Sequence, residues 1–407
     1  MRDGWDKVLL RELLVQVKEP VKVEPGREYK LLGVRWYGNG PFIREIVTTE
    51  TSKATRLFPV QPGDFIYNRL FAWKGSFGLI TQKLTGCFVS SEFPLFRVRE
   101  DRLDAIFLNL IMCQPSKWAQ IEIESTGSTS VSRNRWKEDR FLEQVFFLPP
   151  IEEQKRIVDV LSSVDAYIDA LQQQADTAHL ARNAVFHELL SAGSHDWTET
   201  TISEVLMVSI GGIWGGDVGT DELDVRVYRQ TEFNDNGHLS VPSDAIRSIS
   251  LNQLKSRRIQ PGDILLQKSA GTPTLPGRVV RVPEGIENDS TCSNFLQLIR
   301  VDPKKCDPEF LFWELWIRHK SGGAFEFQRG TNIRNLDLNQ YFAQSLRLPS
   351  FAEQRRIVEI VSSMDDVIQA TEKAIAKAKN MRSGLLSDLL SGEHEIPASY
   401  DSLLGAA

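Results

Sequence analysis

The side chains of this sequence best suited to chemistry are hydrogen-bonding residues gathered in short loops, and they come in three matched pairs. Arg35-Trp36-Tyr37-Gly38-Asn39 follows a strand-like stretch, and so does Arg229-Gln230-Thr231. Asn68-Arg69, with Lys74 beyond, follows a Pro-Gly-Asp turn, and so does Gln267-Lys268-Ser269. The segment Ser128–Arg135, with Ser130, Arg133 and Asn134, is matched by Thr331, Asn332, Arg334 and Asn335. Arginine and lysine bond to guanine edges and asparagine and glutamine to adenine edges, while lysine, arginine, serine and threonine hold phosphate oxygens. These loops therefore have the composition of a nucleic-acid contact. The competing reading is plain solvation of exposed loop residues, with Trp36 partly in the core. The basic run Lys255-Ser256-Arg257-Arg258 reads first as a solvated helix face and second as a phosphate site.

Catalytic chemistry has no comparable support. Cys87, Cys113, Cys292 and Cys306 are scattered without a Cys-x-x-Cys pair, and the histidines give no His-Glu-x-x-His or Cys/His spacing, so no metal site is expected. The cysteines read as reduced thiols of a cytoplasmic protein. Ile210–Gly216 (IGGIWGG) is glycine-rich but lacks the Gly-x-Gly-x-x-Gly order and its acidic partner. Glu28-Tyr29-Lys30 has no preceding Pro-Asp and reads as a surface strand rather than a nuclease fragment. The charged N-terminus MRDGWDKVLLRELL does not read as a signal peptide. No apolar run approaches the ~20 residues of a membrane span.

The elements that must position these loops are set by a repeat. Residues 148–193 (LPPIEEQKRIVDVLSSVDAYIDALQQQADTAHLARNAVFHELLSAG) align without a gap on residues 348–393 (LPSFAEQRRIVEIVSSMDDVIQATEKAIAKAKNMRSGLLSDLLSGE). Pro149, Glu153, Gln154, Ile157, Asp165, Ile168 and Arg182 all recur in the second copy. Ile157, Leu161, Val164 and Ile168, matched by Ile357, Val361, Met364 and Ile368, step alternately by four and three, the period of a coiled-coil seam. Arg182 and Arg382 interrupt that seam once each. Prolines and glutamates at the start, and Gly193 and Gly392 at the end, delimit two helices. At ~1.5 Å per residue each is a rod of about 60 Å, and the natural partner of each seam is the other copy.

The larger segments repeat more weakly. Gln61-Pro62-Gly63-Asp64 returns as Gln260-Pro261-Gly262-Asp263, SSEFPLFRV (90–98) resembles CSNFLQLIRV (292–301), and Asp104–Leu108 resembles Asp307–Leu311. Short alternating strands with a few helices predict an α+β domain in each half. Charge argues mildly against a nucleic-acid partner. The 407-residue chain carries a net −6, made of +4 over 1–147, −4 over 148–193, and −3 each over 194–347 and 348–407. Phosphate contacts in the second large segment must then come from local clusters or from partner chains.

A variable α/β segment, a Gly-Ser/Thr loop and Leu-Pro-x-x-x-Glu-Gln-x-x-Ile opening a long helix, all given twice, resembles the type I restriction-modification specificity subunit. The resemblance covers essentially the whole chain and implies an α+β fold with pseudo-two-fold symmetry. Two α/β target recognition domains (1–147 and 194–347) would be separated by two long helices (148–193 and 348–395) packing as an antiparallel coiled coil, with a C-terminal tail at 396–407. It implies a chain that reads two unrelated halves of a split double-stranded DNA target, the helices acting as a ruler between them. The chain would not itself be an enzyme, and the adenine-methyltransferase motif Asn/Asp-Pro-Pro-Tyr/Phe is missing from it. The implied partners are two modification (methyltransferase) subunits and two restriction (translocase-nuclease) subunits, one copy of this chain serving each complex. No cofactor is expected on this chain; S-adenosylmethionine, Mg and ATP would belong to the partners. The same signature also fits a decoy, a silent donor copy, or a specificity factor of another defence system.

Overall fold

The structure is a computed structural model and describes residues 4–52, 54–125, 135–191, 197–234 and 236–404. The chain forms two compact units: Met1–Leu171 with Ala374–Ala407, and Gln172–Lys373. The repeated segments are helices of 41 residues each, Ile151–Ser191 and Phe351–Ser391. Each helix contributes one half to each unit, so neither recognition segment closes its core without helical partners.

In the first unit a four-stranded sheet has the order Leu14–Gln16, Leu95–Val98, Phe65–Tyr67, Phe77–Leu79. A five-stranded sheet beside it includes the hairpin Tyr29–Val34 and Pro41–Val47. Asp6–Leu9 pairs antiparallel with Val145–Leu148, joining the chain start to the strand that leads into the first long helix. The core stacks Phe65, Tyr67, Phe96, Trp136 and Phe141, all fully buried, with Phe96 and Phe141 rings 4.8 Å apart. Burying each such ring contributes roughly 1.5–3 kcal/mol. Ile157 and Leu161 of the first long helix lie in this same core with Leu385 and Leu389 of the second. The start of one helix thus packs on the end of the other, which is antiparallel. The tail joins in: Ile396 is buried, and Arg156 Nη1 donates to Asp401 Oδ2 at 3.0 Å.

The second unit repeats this plan. Its four-stranded sheet has the order Leu206–Gly211, Leu296–Val301, Ile264–Gln267, Val279–Arg281, the same succession along the chain as in the first unit. Thr198–Thr201 pairs with Ser345–Leu348 ahead of the second long helix. Ile357 and Val361 share a core with Phe186, Leu189 and the aromatic helix Pro308–Lys320. Six of the eight predicted seam residues are buried; Val164 and Met364 are half-buried.

The Glu-Gln pair opening each helix has a structural job. Gln154 is buried; its Oε1 accepts from Asp104 N at 2.9 Å, and its Nε2 donates to the carbonyls of Arg102 and Pro149 at 3.0 and 2.9 Å. Asp104 caps its own helix by accepting from Ile106 N and Phe107 N at 2.8 and 2.9 Å. Gln354 does the same with Asp307 N at 2.8 Å and the Pro349 carbonyl at 2.9 Å. Asp307 caps Pro308–Lys320. The strong repeat at Gln154/Gln354 and the weak one at Asp104/Asp307 are therefore the two sides of one joint. Gly392 ends the second helix at φ +74°, a left-handed stop; Gly193 lies outside the described residues.

Candidate nucleic-acid interface

In the first unit the turn Gln61-Pro62-Gly63-Asp64 launches the strand leading to Asn68. Asp64 N donates to the Gln61 carbonyl at 3.0 Å and Gly63 sits at φ +87°, a type II turn that requires glycine. The buried Asp64 carboxylate accepts from Gln61 N at 2.8 Å and from Arg97 Nε at 3.0 Å. Asn68 at the strand end is itself buried, its Oδ1 accepting from Leu70 N at 3.0 Å. Arg69 is ion-paired with Glu138, and its carbonyl accepts from Trp136 N at 3.0 Å. Both side chains already have partners within their own unit. Asn68 spends its acceptor on the turn, and a carboxylate already neutralises Arg69.

Loop 35–40, at the tip of the Tyr29–Val47 hairpin, is tied to Lys74 and Gly75. Tyr37 N and Gly38 N donate to their carbonyls at 2.8 Å each. Tyr37 holds φ +60°, uncommon for a residue with a side chain, and is 62% exposed. Lys74 Nζ lies 4.0 Å from the Trp36 ring centre, and the Arg35 guanidinium 4.4 Å from that of Phe42. Exposed Arg35, Trp36 and Tyr37 and half-buried Lys74 therefore form one surface in which cations rest on aromatic faces. Trp36 is 40% exposed, so it is more of a surface platform than the partly core residue the sequence suggests.

The second unit uses the same turn. Gly262 has φ +83°, and the buried Asp263 accepts from Gln260 N and from Arg300 Nε and Nη2, all at 2.7 Å. Gln267 is buried, and its Nε2 donates to the Ser269 carbonyl at 3.3 Å. Ser269, also buried, donates to Asn335 Oδ1 at 2.6 Å, and its strand pairs with Arg334–Leu336. The second and third sequence groups are thereby joined. Thr331 and Asn332 stand exposed beside them, and Arg334 is half-buried. Burial lowers the Lys268 ammonium pKa, Cys292 opposing and Arg257 adding to the shift.

Arg229 is engaged by Glu232, its Nε donating at 3.1 Å, and is less free than its sequence position implies. With Gln230 it lines an open cleft of about 340 Å³ whose other walls are Trp214, Ser293, Asn294 and Phe295. Trp214 and Phe295 each expose over a third of their surface, and Arg247 lies over Trp214 at 5.0 Å. Sequence reasoning missed these aromatics. The signal was the IGGIWGG run: a Cβ on Gly212 would come within 2.3 Å of the Cys292 and Ser293 carbonyls, so the glycine lets this strand lie against that loop and brings Trp214 to the cleft. In the basic run, Arg257 donates to the Gly211 carbonyl at 3.0 Å and Arg258 to Asp289 at 3.2 Å, so its arginines are bound by their own unit. Ser130, Arg133 and Asn134 lie outside the described residues.

Among the described residues no group of three or more His, Cys, Asp or Glu is placed to hold a metal, and no helix is long and apolar enough to cross a membrane. Burial pushes the thiols of Cys113, Cys292 and Cys306 up to about 12, away from reactivity.

The sequence matches the family described as type I restriction modification DNA specificity domain over residues 14–178 and again over 194–380. The chain belongs to this family. It is 20% identical over 424 aligned residues to the type I restriction enzyme MjaVIII specificity subunit of Methanocaldococcus jannaschii, covering 96% of this chain and 93% of that one. It is 22% identical to the StySPI specificity subunit of Salmonella potsdam over 60% of this chain and 57% of that one. The fold is shared with a chain solved in a study of complex assembly and conformational transition of the type I R-M system (TM-score 0.58, 16% identity, 96% of this chain and 98% of that one). It is also shared with the S subunit of the type I restriction-modification system from M. genitalium (TM-score 0.53, 14% identity, 95% and 96%). As a specificity-family member the chain is a DNA-binding protein of a restriction-modification system. The two matched stretches fall one on each repeat, which ties the duplication to the family's own domain.

Proposed function

We propose that this chain reads a two-part, asymmetric DNA target, one half with each unit, and contributes no catalysis of its own. The observation that carries the reading is one sheet order, used twice, bearing different loop chemistry. The first unit presents Arg35, Tyr37 and Lys74. The second presents Gln230 in an aromatic cleft, and also Lys268, Thr331, Asn332 and Arg334. A duplicated scaffold with unlike reading heads selects unlike half-sites.

The two 41-residue helices support a ruler role, since a rigid connection between reading heads fixes half-site spacing. Their exposed apolar residues support docking of two modification subunits: Tyr167 and Val367, at equivalent places in the repeat, are 53% and 56% exposed. Methyl transfer from S-adenosylmethionine, and ATP- and Mg-dependent translocation and cleavage, fall to the modification and restriction subunits.

Co-expression with the cognate modification subunit, followed by genome-wide mapping of methylated adenine, tests the reading. A split motif that appears only with this chain, and changes in one half when 194–347 is exchanged for another member's segment, is the expected result. An active methyltransferase with no motif would favour a decoy, and methylation or cleavage by the purified chain alone would overturn the non-catalytic assignment.

A further inference from the structure

We infer that Lys268 is a backbone-phosphate contact of the second unit at a position where the first unit keeps its cation for itself. The inference rests on the DNA-reading role proposed above and adds an asymmetry between the two units.

Residues Gln61–Arg69 and Gln260–Lys268 leave equivalent turns in step, so Arg69 and Lys268 occupy one structural position. The backbone confirms the equivalence. Trp136 N donates to the Arg69 carbonyl at 3.0 Å, and Leu336 N donates to the Lys268 carbonyl at 2.7 Å. Two residues beyond those donors the units diverge. The first has Glu138, which pairs with Arg69 and also accepts from Gln16 Nε2 at 3.4 Å. The second has Leu338, an apolar residue packed against the core.

Among the described residues no carboxylate pairs with Lys268. Asp337, next to Leu338, is used as a helix cap, accepting from Gln340 N at 3.2 Å. The ammonium rests against Gly211, where an added Cβ would lie 2.7 Å from Nζ, and its charged neighbour is the cation Arg257. A half-buried ammonium without a counter-ion is costly, and an anion brought to it is bound correspondingly well. Lysine is a compact point charge without the planar fork that matches a base edge, which favours phosphate as that anion. In this mildly acidic segment, such a local cation is the kind of site phosphate binding requires.

The test uses the chain assembled with its modification subunits, titrated with a duplex carrying the mapped motif and with a scrambled duplex across a range of salt. Lys268→Met is expected to weaken both about tenfold and to reduce the salt slope by about 0.9, the value for one phosphate. Lys268→Arg retains the slope. Leu338→Glu, which restores the carboxylate of the first unit, acts in the same direction as Lys268→Met. Should Leu338→Glu fail to fold, Lys268→Met and Lys268→Arg decide the matter alone. Wild-type affinity and slope in Lys268→Met overturn the inference, as does a loss confined to one base position with the slope unchanged. A wild-type complex with no motif-dependent binding would instead count against the DNA-reading role itself.

Discussion

Arg182 and Asp365 form an ion pair inside the second unit, each side chain only 1% exposed. The repeat reproduces it: Arg382 Nη2 donates to Asp165 Oδ2 at 2.8 Å in the first unit. The two pairs are the same contact with the helices exchanged, which requires antiparallel packing in a single register. The arginines that break the apolar seam in the sequence are thus its polar pins, a known way for a buried polar residue to specify alignment. Their settings differ. The Arg182 guanidinium lies over Trp316 and Trp313 at 4.6 and 4.9 Å, and Asp365 also meets His238 Nε2 at 2.8 Å and Gln369 Nε2 at 3.0 Å. Arg382 and Asp165 are 27% and 47% exposed.

This difference predicts unequal costs. Arg182→Met leaves Asp365 buried with reduced compensation and should destabilise the chain by about 3 kcal/mol, the low end for a broken buried pair because His238 and Gln369 remain. Arg382→Met should cost less than about 1 kcal/mol, as partly exposed pairs do. Urea unfolding of both variants checks the ratio.

Gln154→Ala and Gln354→Ala should each cost about 1–3 kcal/mol, because a buried N–H and a buried carbonyl lose their partners together. Hydrogen exchange at the Asp104 and Asp307 amides, which donate to these glutamines, should rise in the matching variant alone.

Burial holds the His319 imidazole neutral and lowers its pKa from 6.5 to about 4, Lys320 and Arg278 adding to the effect and a backbone hydrogen bond opposing it. The unfolded chain therefore binds the proton more readily. This contribution to stability is complete above about pH 6.5 and is lost as pH falls towards 4. Denaturation midpoints measured across that window should fall on acidification, and His319→Gln should flatten the dependence.

Substitutions at the first reading surface should separate binding from folding. Tyr37→Ala and Lys74→Ala should weaken DNA binding by the assembled complex and leave thermal stability nearly unchanged, Lys74→Ala also reducing the salt slope by about 0.9. Asn68→Ala and Arg69→Ala should instead lower stability by about 1–3 kcal/mol, since each removes a partner of a group already satisfied inside the unit. Fluorescence anisotropy and calorimetry on the same four proteins distinguish the two classes.

The duplication, the two helices, the place where each begins and the family were legible in the sequence because each depends on local order: an ungapped repeat, a 3.5-residue period, a proline start. The paired Pro-Gly-Asp turns were legible for the same reason. What the sequence could not decide was which polar residues face outward. Asn68 and Gln267 look like base readers by type, yet both point into their own units, and Arg69 and Lys268 differ only through Glu138 and Leu338, some seventy residues away along the chain. Trp214 and Phe295 share a cleft because Gly212 allows a close backbone approach that no spacing rule reveals. Arg182 found Asp365 across 183 residues. Local periodicity determines elements, whereas burial, charge neutralisation and exposure depend on partners distant in sequence, and only the folded chain brings those partners together.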